Sequence, residues 1–250
     1  MAELSRPFLV RYARHPAERG LNRREPVVAP EKVRLPDPAA DHLRRDRLVR
    51  RLEGAPVVLV CAPSGFGKTE LVSDWARSAD HAVAWVNLDA EDSDASEFAQ
   101  HLVAALRVVL PEAGSETMAL LREGRPVRPE DLGRSLGADL RSATRPLTVV
   151  LDDYSSLPSG SSHELVDEIL RRKPRDVRLM IVARRDPPLP LPELLVSGRA
   201  CEIRQASLAF TSDEAAEIIE RDTGWSPEPD LVERMVERLG GWPSGIKLLA

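Results

Sequence analysis

The chain has 250 residues, of which 42% are apolar and 30% charged, a balance typical of globular domains rather than of disordered or fibrous chains. Its formal net charge is −5, which does not favour a non-specific nucleic-acid binder, because such proteins usually carry a basic excess. No run approaches the roughly 18 apolar residues of a membrane span, and the N-terminus lacks the apolar core of a signal peptide, so we expect a cytoplasmic protein with no membrane contact.

The first 40 residues differ from the rest of the chain. Residues 1–40 are rich in Arg and Pro and show little apolar periodicity, which predicts an extended or partly disordered leader. A basic arm that binds an acidic partner is the alternative. The following segment, DHLRRDRLVRRL, has Leu43, Leu48 and Leu52 at helical spacing. It predicts a helix that leads into the first strand.

From residue 57 onward, short apolar runs alternate with helical patterns. Strands that read as continuous hydrophobic runs between helices predict a parallel sheet covered on both faces. The predicted strands are 57–61, 82–86, 147–151, 178–182 and 200–203, and the predicted helices between them are 68–77, 95–109, 129–141 and 162–172. The last patterns, 211–222, 229–239 and 243–249, are all helical and predict a small helical subdomain. Cys61 and Cys201 lie far apart in the sequence, so we expect two reduced, packed thiols.

The stretch VVLVCAPSGFGKTELVSDW joins a predicted strand to a predicted helix through a loop of small residues. Residues 62–69, APSGFGKT, have the spacing and the strand-to-helix context of a phosphate-binding loop. Gly65 and Gly67 let backbone N–H groups turn toward phosphate oxygens, and Lys68 reaches the β and γ phosphates. Ala62 stands where the pattern has glycine, and a small residue is tolerable there if its φ is negative. A glycine-rich turn without a ligand is the alternative.

Contacts with the nucleotide are expected from the whole loop and the first helical turn: Ala62, Pro63, Ser64, Gly65, Phe66, Gly67, Lys68, Thr69 and Glu70. The hydroxyl of Thr69 is expected to be a Mg²⁺ ligand.

Charged residues follow two of the other predicted strands. LTVVLDDY places Asp152 and Asp153 at the carboxyl end of a strand, where open α/β sheets bind ligands. We expect Asp152 to hold Mg²⁺ through water and Asp153 to orient the attacking water, the alternative being two aspartates that only cap a loop. RLMIVARRDPP places Arg184 and Arg185 at another strand end, where one arginine would bind the γ phosphate. A solvated charge pair is the alternative there.

Taken together, these segments resemble the STAND NTPases, the signal-transduction ATPases with numerous domains. The resemblance is greatest to the branch of the maltose-regulon activator and the large LuxR-type transcriptional regulators, and it covers roughly residue 41 to the C-terminus. The segments that carry it are HLRRDRLVRRL, CAPSGFGKTELVSDW, AWVNLDAEDSD, VVLDDY, IVARRDPPLPL, LAFTSDEA and GGWPSGIKLLA.

The resemblance implies roles for residues outside the phosphate-binding loop. The segment around Leu43, Arg45 and Asp46 matches a motif that lies against the adenine. Arg184 matches the sensor arginine, and Pro243 matches the proline of a helical lid that touches bound ADP. It further implies a P-loop nucleotide-binding domain at 41–206 and the lid at 207–250.

The implied function is that of a switch. The module would bind ATP or ADP with Mg²⁺, act as a weak ATPase and control transcription. Asp153 stands where fast ATPases of a related branch commonly have a longer glutamate, which argues for slow turnover. Family members continue into further domains, so the 250 residues are either an excised module or a short protein whose effector function is lost or supplied elsewhere. We expect DNA contact only through an absent C-terminal domain, an inducer that the sequence does not identify, and self-association on activation.

Two other functions use the same loop and carboxylate. A phosphotransferase acting on a small molecule would need an acceptor pocket and an arginine-bearing lid, whereas Arg221, Arg234 and Arg238 are predicted to lie on solvated faces. A nucleic-acid-handling ATPase would need a basic surface or a fused DNA-binding domain.

Overall fold

The computed structural model describes residues 28–39, 42–123, 125–143, 145–158 and 160–249. Of the predicted leader, residues 1–27 and 40 therefore lie outside the described part of the chain. In the described ranges, no helix combines the length and the apolar character needed to cross a membrane.

A five-stranded sheet forms the centre of the molecule. Its strands are β1 (Val57–Cys61), β2 (Ala82–Asn87), β3 (Leu147–Asp152), β4 (Val177–Ala183) and β5 (Ala200–Arg204). They lie in the order β2-β3-β4-β1-β5, and all neighbouring strands are parallel, which confirms the predicted sheet. Because the strands are parallel, their carboxyl ends lie along one edge of the sheet.

Helices cover both faces of the sheet. The helices that precede or connect the strands are α1 (Asp46–Val49), α2 (Lys68–Ser78), α3 (Ala95–Val109), α4 (Ser115–Arg122), α5 (Pro129–Arg141), α6 (Ser161–Arg172) and α7 (Leu191–Val196). Alternate residues of β1 belong to two separate hydrophobic cores. Val57 and Leu59 belong to the core that contains Phe98 of α3, and Val58 belongs to the core that contains Trp75 of α2. Burial on both faces explains why the strands read as continuous apolar runs.

The chain after β5 is helical, as predicted. It contains α8 (Gln205–Leu208), α9 (Ser212–Thr223), α10 (Pro229–Leu239) and α11 (Pro243–Leu249). We call α9–α11 the lid. Thr211 caps α9 in a reciprocal pair with Glu214, which satisfies two free N–H groups at the helix start. The lid has a small core of its own that includes Ile218, Val232 and, from the segment before β1, Leu43.

Residues 28–39, which we call the strap, pack against the edge of the sheet at β2. Lys32 is buried and forms ion pairs with Asp92 (2.6 Å) and Asp89 (2.7 Å). Asn87 donates hydrogen bonds to the carbonyls of Glu31 and Arg34 in the strap. This part of the predicted leader is therefore held by specific contacts with the domain.

Asp92 is the centre of this anchorage and has no solvent exposure. Burial raises its pKa, but hydrogen bonds from His101 (2.5 Å) and Lys32 outweigh that effect, so the pKa of Asp92 lies below its ordinary value. The backbone N–H of Asp89 donates to the same carboxylate. Asp92 is thus an ionised group whose partners come from three separate segments of the chain.

Candidate nucleotide-binding site

A cleft of about 530 Å³ opens at the carboxyl edge of the sheet, between the strand ends and α11 of the lid. The predicted site residues that line it are Arg45, Ser64, Gly65, Gly67, Lys68, Thr69, Glu70, Asp152, Asp153, Arg184 and Pro243. Leu43, from the predicted adenine motif, also lines the cleft. The remaining lining residues were not predicted as ligands: Pro36, Asn87, Leu88, Val182, Phe210, Ser244 and Lys247. Elements that are distant in sequence therefore meet around one space large enough for a small ligand.

The loop between β1 and α2 has the backbone conformation that its glycines permit. Gly65 and Gly67 have φ values of 80° and 68°, a region that residues with a side chain rarely adopt. The Lys68 ammonium donates to the carbonyl of Pro63 (2.9 Å). Burial and the neighbouring Arg184 charge hold the pKa of Lys68 below its ordinary value.

Not every predicted loop residue faces the cleft. The side chains of Ala62 and Phe66 are buried in the core beside α1 and α2. Their contribution is to fix the two ends of the turn, and Phe66 adds a backbone carbonyl that Arg45 binds. Ala62 is not among the described residues with positive φ, which is the condition under which the sequence allows a residue other than glycine at this position.

Thr69 and Asp152 form the candidate metal-binding pair. The Thr69 hydroxyl donates to Oδ1 of Asp152 at 3.1 Å, so both oxygens lie at one point of the cleft. Burial raises the pKa of Asp152 to about 6, against the opposing effect of hydrogen bonds from the Asp153 N–H and Thr69. Oxygen donors of this kind fit Mg²⁺, which commonly takes few protein ligands and completes its shell with water and phosphate. The described residues contain no cluster of three or more His, Cys, Asp or Glu side chains that could hold a metal ion.

Asp153 and Arg184 meet at the far end of the cleft. Arg184 donates to Oδ2 of Asp153 at 2.9 Å, and the Ser156 hydroxyl donates to the same oxygen at 2.8 Å. Among the described residues other than glycine, Asp153 alone has a positive φ, which is 54°. Asp tolerates this left-handed conformation better than most residues, and here it turns the carboxylate toward β4. Arg185 is exposed and does not line the cleft.

Arg45 lies in the cleft wall but is largely occupied by backbone carbonyls. Its guanidinium donates to the carbonyls of Leu208 (2.8 Å), Gly67 (3.0 Å) and Phe66 (3.3 Å), and it lies over the ring of Phe210. Burial lowers the pKa of Arg45. These contacts make Arg45 a clamp that holds the phosphate-binding loop against the segment leading to the lid. Asp46, the acidic member of the predicted adenine motif, is instead exposed.

The lid contacts the phosphate-binding loop directly. The indole N–H of Trp242 donates to the Ser64 carbonyl (3.1 Å), and both the backbone N–H and the hydroxyl of Ser244 donate to the Gly65 carbonyl (3.1 Å each). Pro243, between them, is buried and lines the cleft. The sequence pointed to Pro243 but not to the donors on either side of it.

Known proteins resemble the chain in sequence and in fold. No protein-family model matches it. It is 31% identical over 229 residues to the HTH-type transcriptional regulator MalT of Cronobacter sakazakii and 29% identical over 227 residues to that of Klebsiella pneumoniae. Each match covers 90% of this chain and 25% of the relative, so the chain spans about a quarter of their length.

Among solved structures, a STAND protein with a tetratricopeptide repeat sensor from Pyrococcus horikoshii superposes with a TM-score of 0.58 and 17% identity. The match covers 86% of this chain and 30% of that protein. At this identity the likeness shows the fold: a parallel sheet flanked by helices and followed by a helical segment.

Proposed function

Because the chain is a homologue of part of the MalT regulators and has the P-loop fold of the STAND ATPases, we propose that it is the nucleotide-dependent switch module of a transcription regulator. The module binds ATP or ADP together with Mg²⁺, hydrolyses ATP slowly and holds its lid closed on ADP. In this proposal residues 41–206 form the nucleotide-binding domain, and residues 207–250 form the helical subdomain that contains the lid.

The observation that carries the proposal is the direct contact of α11 with the phosphate-binding loop. Pro243 and Ser244 line the same cleft as Lys68, Thr69 and Asp152. A ligand in this cleft therefore touches the sheet and the lid together, and it favours whichever lid position gives it more contacts. Such differential contact is the physical requirement for a nucleotide-controlled switch.

Each part of the cleft suits one part of the nucleotide. Lys68 and the loop N–H groups bind the phosphates, and the start of α2 adds the positive end of its dipole. Thr69 and Asp152 hold Mg²⁺, which neutralises phosphate charge when it is bound. Leu43 and Pro243 supply the apolar contacts for the base. Arg45 lies on the same side, where it positions the loop rather than acting mainly as a ligand.

Slow hydrolysis follows from the pairing of Asp153 with Arg184. The Asp153 carboxylate accepts from Arg184 and from Ser156, both through Oδ2, so one of its two oxygens is engaged. A carboxylate paired with an arginine is a weaker base, and Arg184 can bind a γ phosphate only by weakening this pair. We therefore expect slow turnover, and a slowly hydrolysed nucleotide serves as a lasting signal.

The partners of the whole protein follow from the relatives' description as HTH-type transcriptional regulators. We propose that this module acts with a helix-turn-helix segment that binds DNA, responds to an inducer and self-associates when the lid opens. The module's own net charge of −5 gives it no general attraction to DNA.

The test is the release of a fluorescent ADP analogue, followed by stopped flow in wild type and in Pro243→Gly. We expect faster ADP release in the variant and a smaller effect on ATP, because the lid closes on ADP. Pro227→Gly is the matched control, since Pro227 lies in the connection between α9 and α10 and outside the cleft lining. Equal release rates in Pro243→Gly and wild type would contradict a lid that responds to the nucleotide.

Phosphate release separates the switch from the two other uses of this fold. A phosphotransferase would transfer the γ-phosphoryl group to an added acceptor, so ADP would form without an equal amount of free phosphate. A nucleic-acid-handling ATPase would release phosphate faster when DNA is added. We expect slow Mg²⁺-dependent release that neither addition changes.

A further inference from the structure

We propose that Trp242 and Ser244 are positioning residues for phosphate binding, which act through the backbone of the phosphate-binding loop. They bind the carbonyls of Ser64 and Gly65 and thereby hold the following N–H groups toward the phosphates. This inference rests on the proposed nucleotide-binding function and adds a route by which the lid controls phosphate affinity without touching the phosphate.

The lid and the loop approach each other closely. A Cβ added at Gly65 would lie 2.5 Å from the indole nitrogen of Trp242 and 2.7 Å from the Ser244 hydroxyl oxygen. A glycine is therefore required at position 65 for the lid contact as well as for its φ of 80°. The three hydrogen bonds from the lid to this turn are all 3.1 Å long, within the normal range.

The indole of Trp242 is held in place from the lid side. Its ring lies against Gly245, where an added Cβ would come within 2.4 Å of the ring carbon Cε3. Trp242 is 37% exposed, so most of its surface is covered by neighbouring residues. The ring is thus folded over the start of α11 with its N–H directed at the Ser64 carbonyl.

The geometry of the peptide bond converts these contacts into a phosphate-binding arrangement. In a planar trans peptide, the carbonyl of one residue and the N–H of the next point in opposite directions. Binding the carbonyls of Ser64 and Gly65 from the lid side directs the N–H groups of Gly65 and Phe66 the other way, toward the space that Lys68 lines. Backbone N–H groups held in this way form an anion-binding concavity.

Arg45 performs the same task for the second half of the loop. Its guanidinium binds the carbonyls of Phe66 and Gly67. Four consecutive carbonyls, from Ser64 to Gly67, are therefore bound by donors outside the loop: two by the lid and two by Arg45. Arg45 belongs to the segment before β1, whereas Trp242 and Ser244 leave with the lid. Lid opening thus removes the donors of the first half only.

The experiment compares a ligand that has phosphates with one that has none. ADP and adenosine are titrated by competition with a fluorescent ADP analogue against wild type, Trp242→Phe and Ser244→Ala. Trp242→Phe removes the indole N–H and keeps an aromatic ring, and Ser244→Ala removes the hydroxyl and keeps the backbone N–H. Trp225→Phe and Ser226→Ala are matched controls, because both residues are exposed in the connection between α9 and α10.

We expect Trp242→Phe to bind ADP about fivefold more weakly, the effect of one neutral hydrogen bond. Ser244→Ala should lose less, because its backbone N–H still holds the Gly65 carbonyl. Both variants should bind adenosine with less than a twofold change. The controls should bind both ligands as wild type does. If the affinities for ADP and adenosine fell equally, Trp242 and Ser244 would only be lid contacts. If both variants bound ADP as wild type does, the lid donors would not affect phosphate binding. Either result overturns the inference. A wild-type chain that binds neither ligand would instead overturn the proposed function and this inference with it. If one variant fails to fold, the comparison of ADP with adenosine in the other variant decides the question.

Discussion

Replacing Arg45 with Met tests whether this buried guanidinium clamps the loop to the rest of the domain. The change removes two short charged hydrogen bonds, to Leu208 (2.8 Å) and Gly67 (3.0 Å), and a longer one to Phe66. Charged hydrogen bonds contribute about 1.5–3 kcal/mol each, so the two short ones together give roughly 3–6 kcal/mol. Burying the guanidinium offsets part of this, which leaves a net loss of about 3 kcal/mol in the free energy of unfolding.

The matched control is Arg44→Met on the neighbouring residue. Arg44 is exposed and pairs with the exposed Asp46, a contact that contributes about 0–1 kcal/mol. With a urea dependence of about 2–3 kcal/mol per molar, Arg45→Met should lower the midpoint of urea unfolding by roughly 1 M, and Arg44→Met by much less. Equal midpoints for the two variants would refute the clamp, because the two substitutions differ mainly in the buried hydrogen bonds.

Three further outcomes follow from the site and the strap. Lys68→Ala should abolish adenine-nucleotide binding in calorimetry while leaving the melting temperature unchanged, since Lys68 lies on the cleft surface; wild-type affinity would refute its phosphate role. Asp152→Asn should lose the Mg²⁺-dependent gain in ATP affinity, whereas Asp153→Asn should mainly change the rate of phosphate release; identical defects would refute this division. Asp92→Asn should be less stable at neutral pH. Because the folded-state pKa of Asp92 lies below its ordinary value, its stabilisation is present above about pH 4 and is lost as the pH falls through the folded pKa. Thermal unfolding at pH 7 and pH 3 measures this, and a constant difference between wild type and variant would contradict it.

The regular part of the fold could be predicted because its signals are local. The strand Val57–Cys61 and the helices Ala95–Val109 and Pro129–Arg141 have the predicted bounds, since apolar periodicity and the flanking residues define them. α4 was not predicted. Its first N–H groups, at Glu116 and Thr117, donate to Asp139 on α5, a contact that no local pattern shows.

Helix α1 and the strap show the same limitation. The helix predicted around Leu43 and Leu52 is reduced to Asp46–Val49 followed by a 3₁₀ turn, because the preceding residues pack against the lid instead. In the sequence, nothing distinguishes Lys32 from the other charged residues of a leader rich in Arg and Pro. Its burial depends on Asp92, which lies 60 residues further along the chain.

The candidate site divides in the same way between local and tertiary information. The spacing of the loop and of LDDY predicted residues that do line one cleft, including Lys68 and Asp152. The pairing of Asp153 with Arg184 and the engagement of Arg45 by carbonyls could not be predicted, because each joins segments that only the fold brings together. The sequence did not predict the donors on either side of Pro243, which are the indole N–H of Trp242 and the hydroxyl of Ser244. A residue with a side-chain hydrogen-bond donor on each side of a lid proline is nevertheless a signal that the sequence contains.

The most direct test of the switch is the distance between the lid and the nucleotide-binding domain in each nucleotide state. Spin labels at S226C in the lid and R134C on α5, in a chain with Cys201→Ser, report this distance by double electron–electron resonance, while Cys61 remains buried and unlabelled. With ADP we expect one narrow distance distribution at the separation seen in the structure. With Mg²⁺ and a non-hydrolysable ATP analogue we expect a longer and broader distribution. The same distribution with both nucleotides would contradict a lid that opens when ATP replaces ADP.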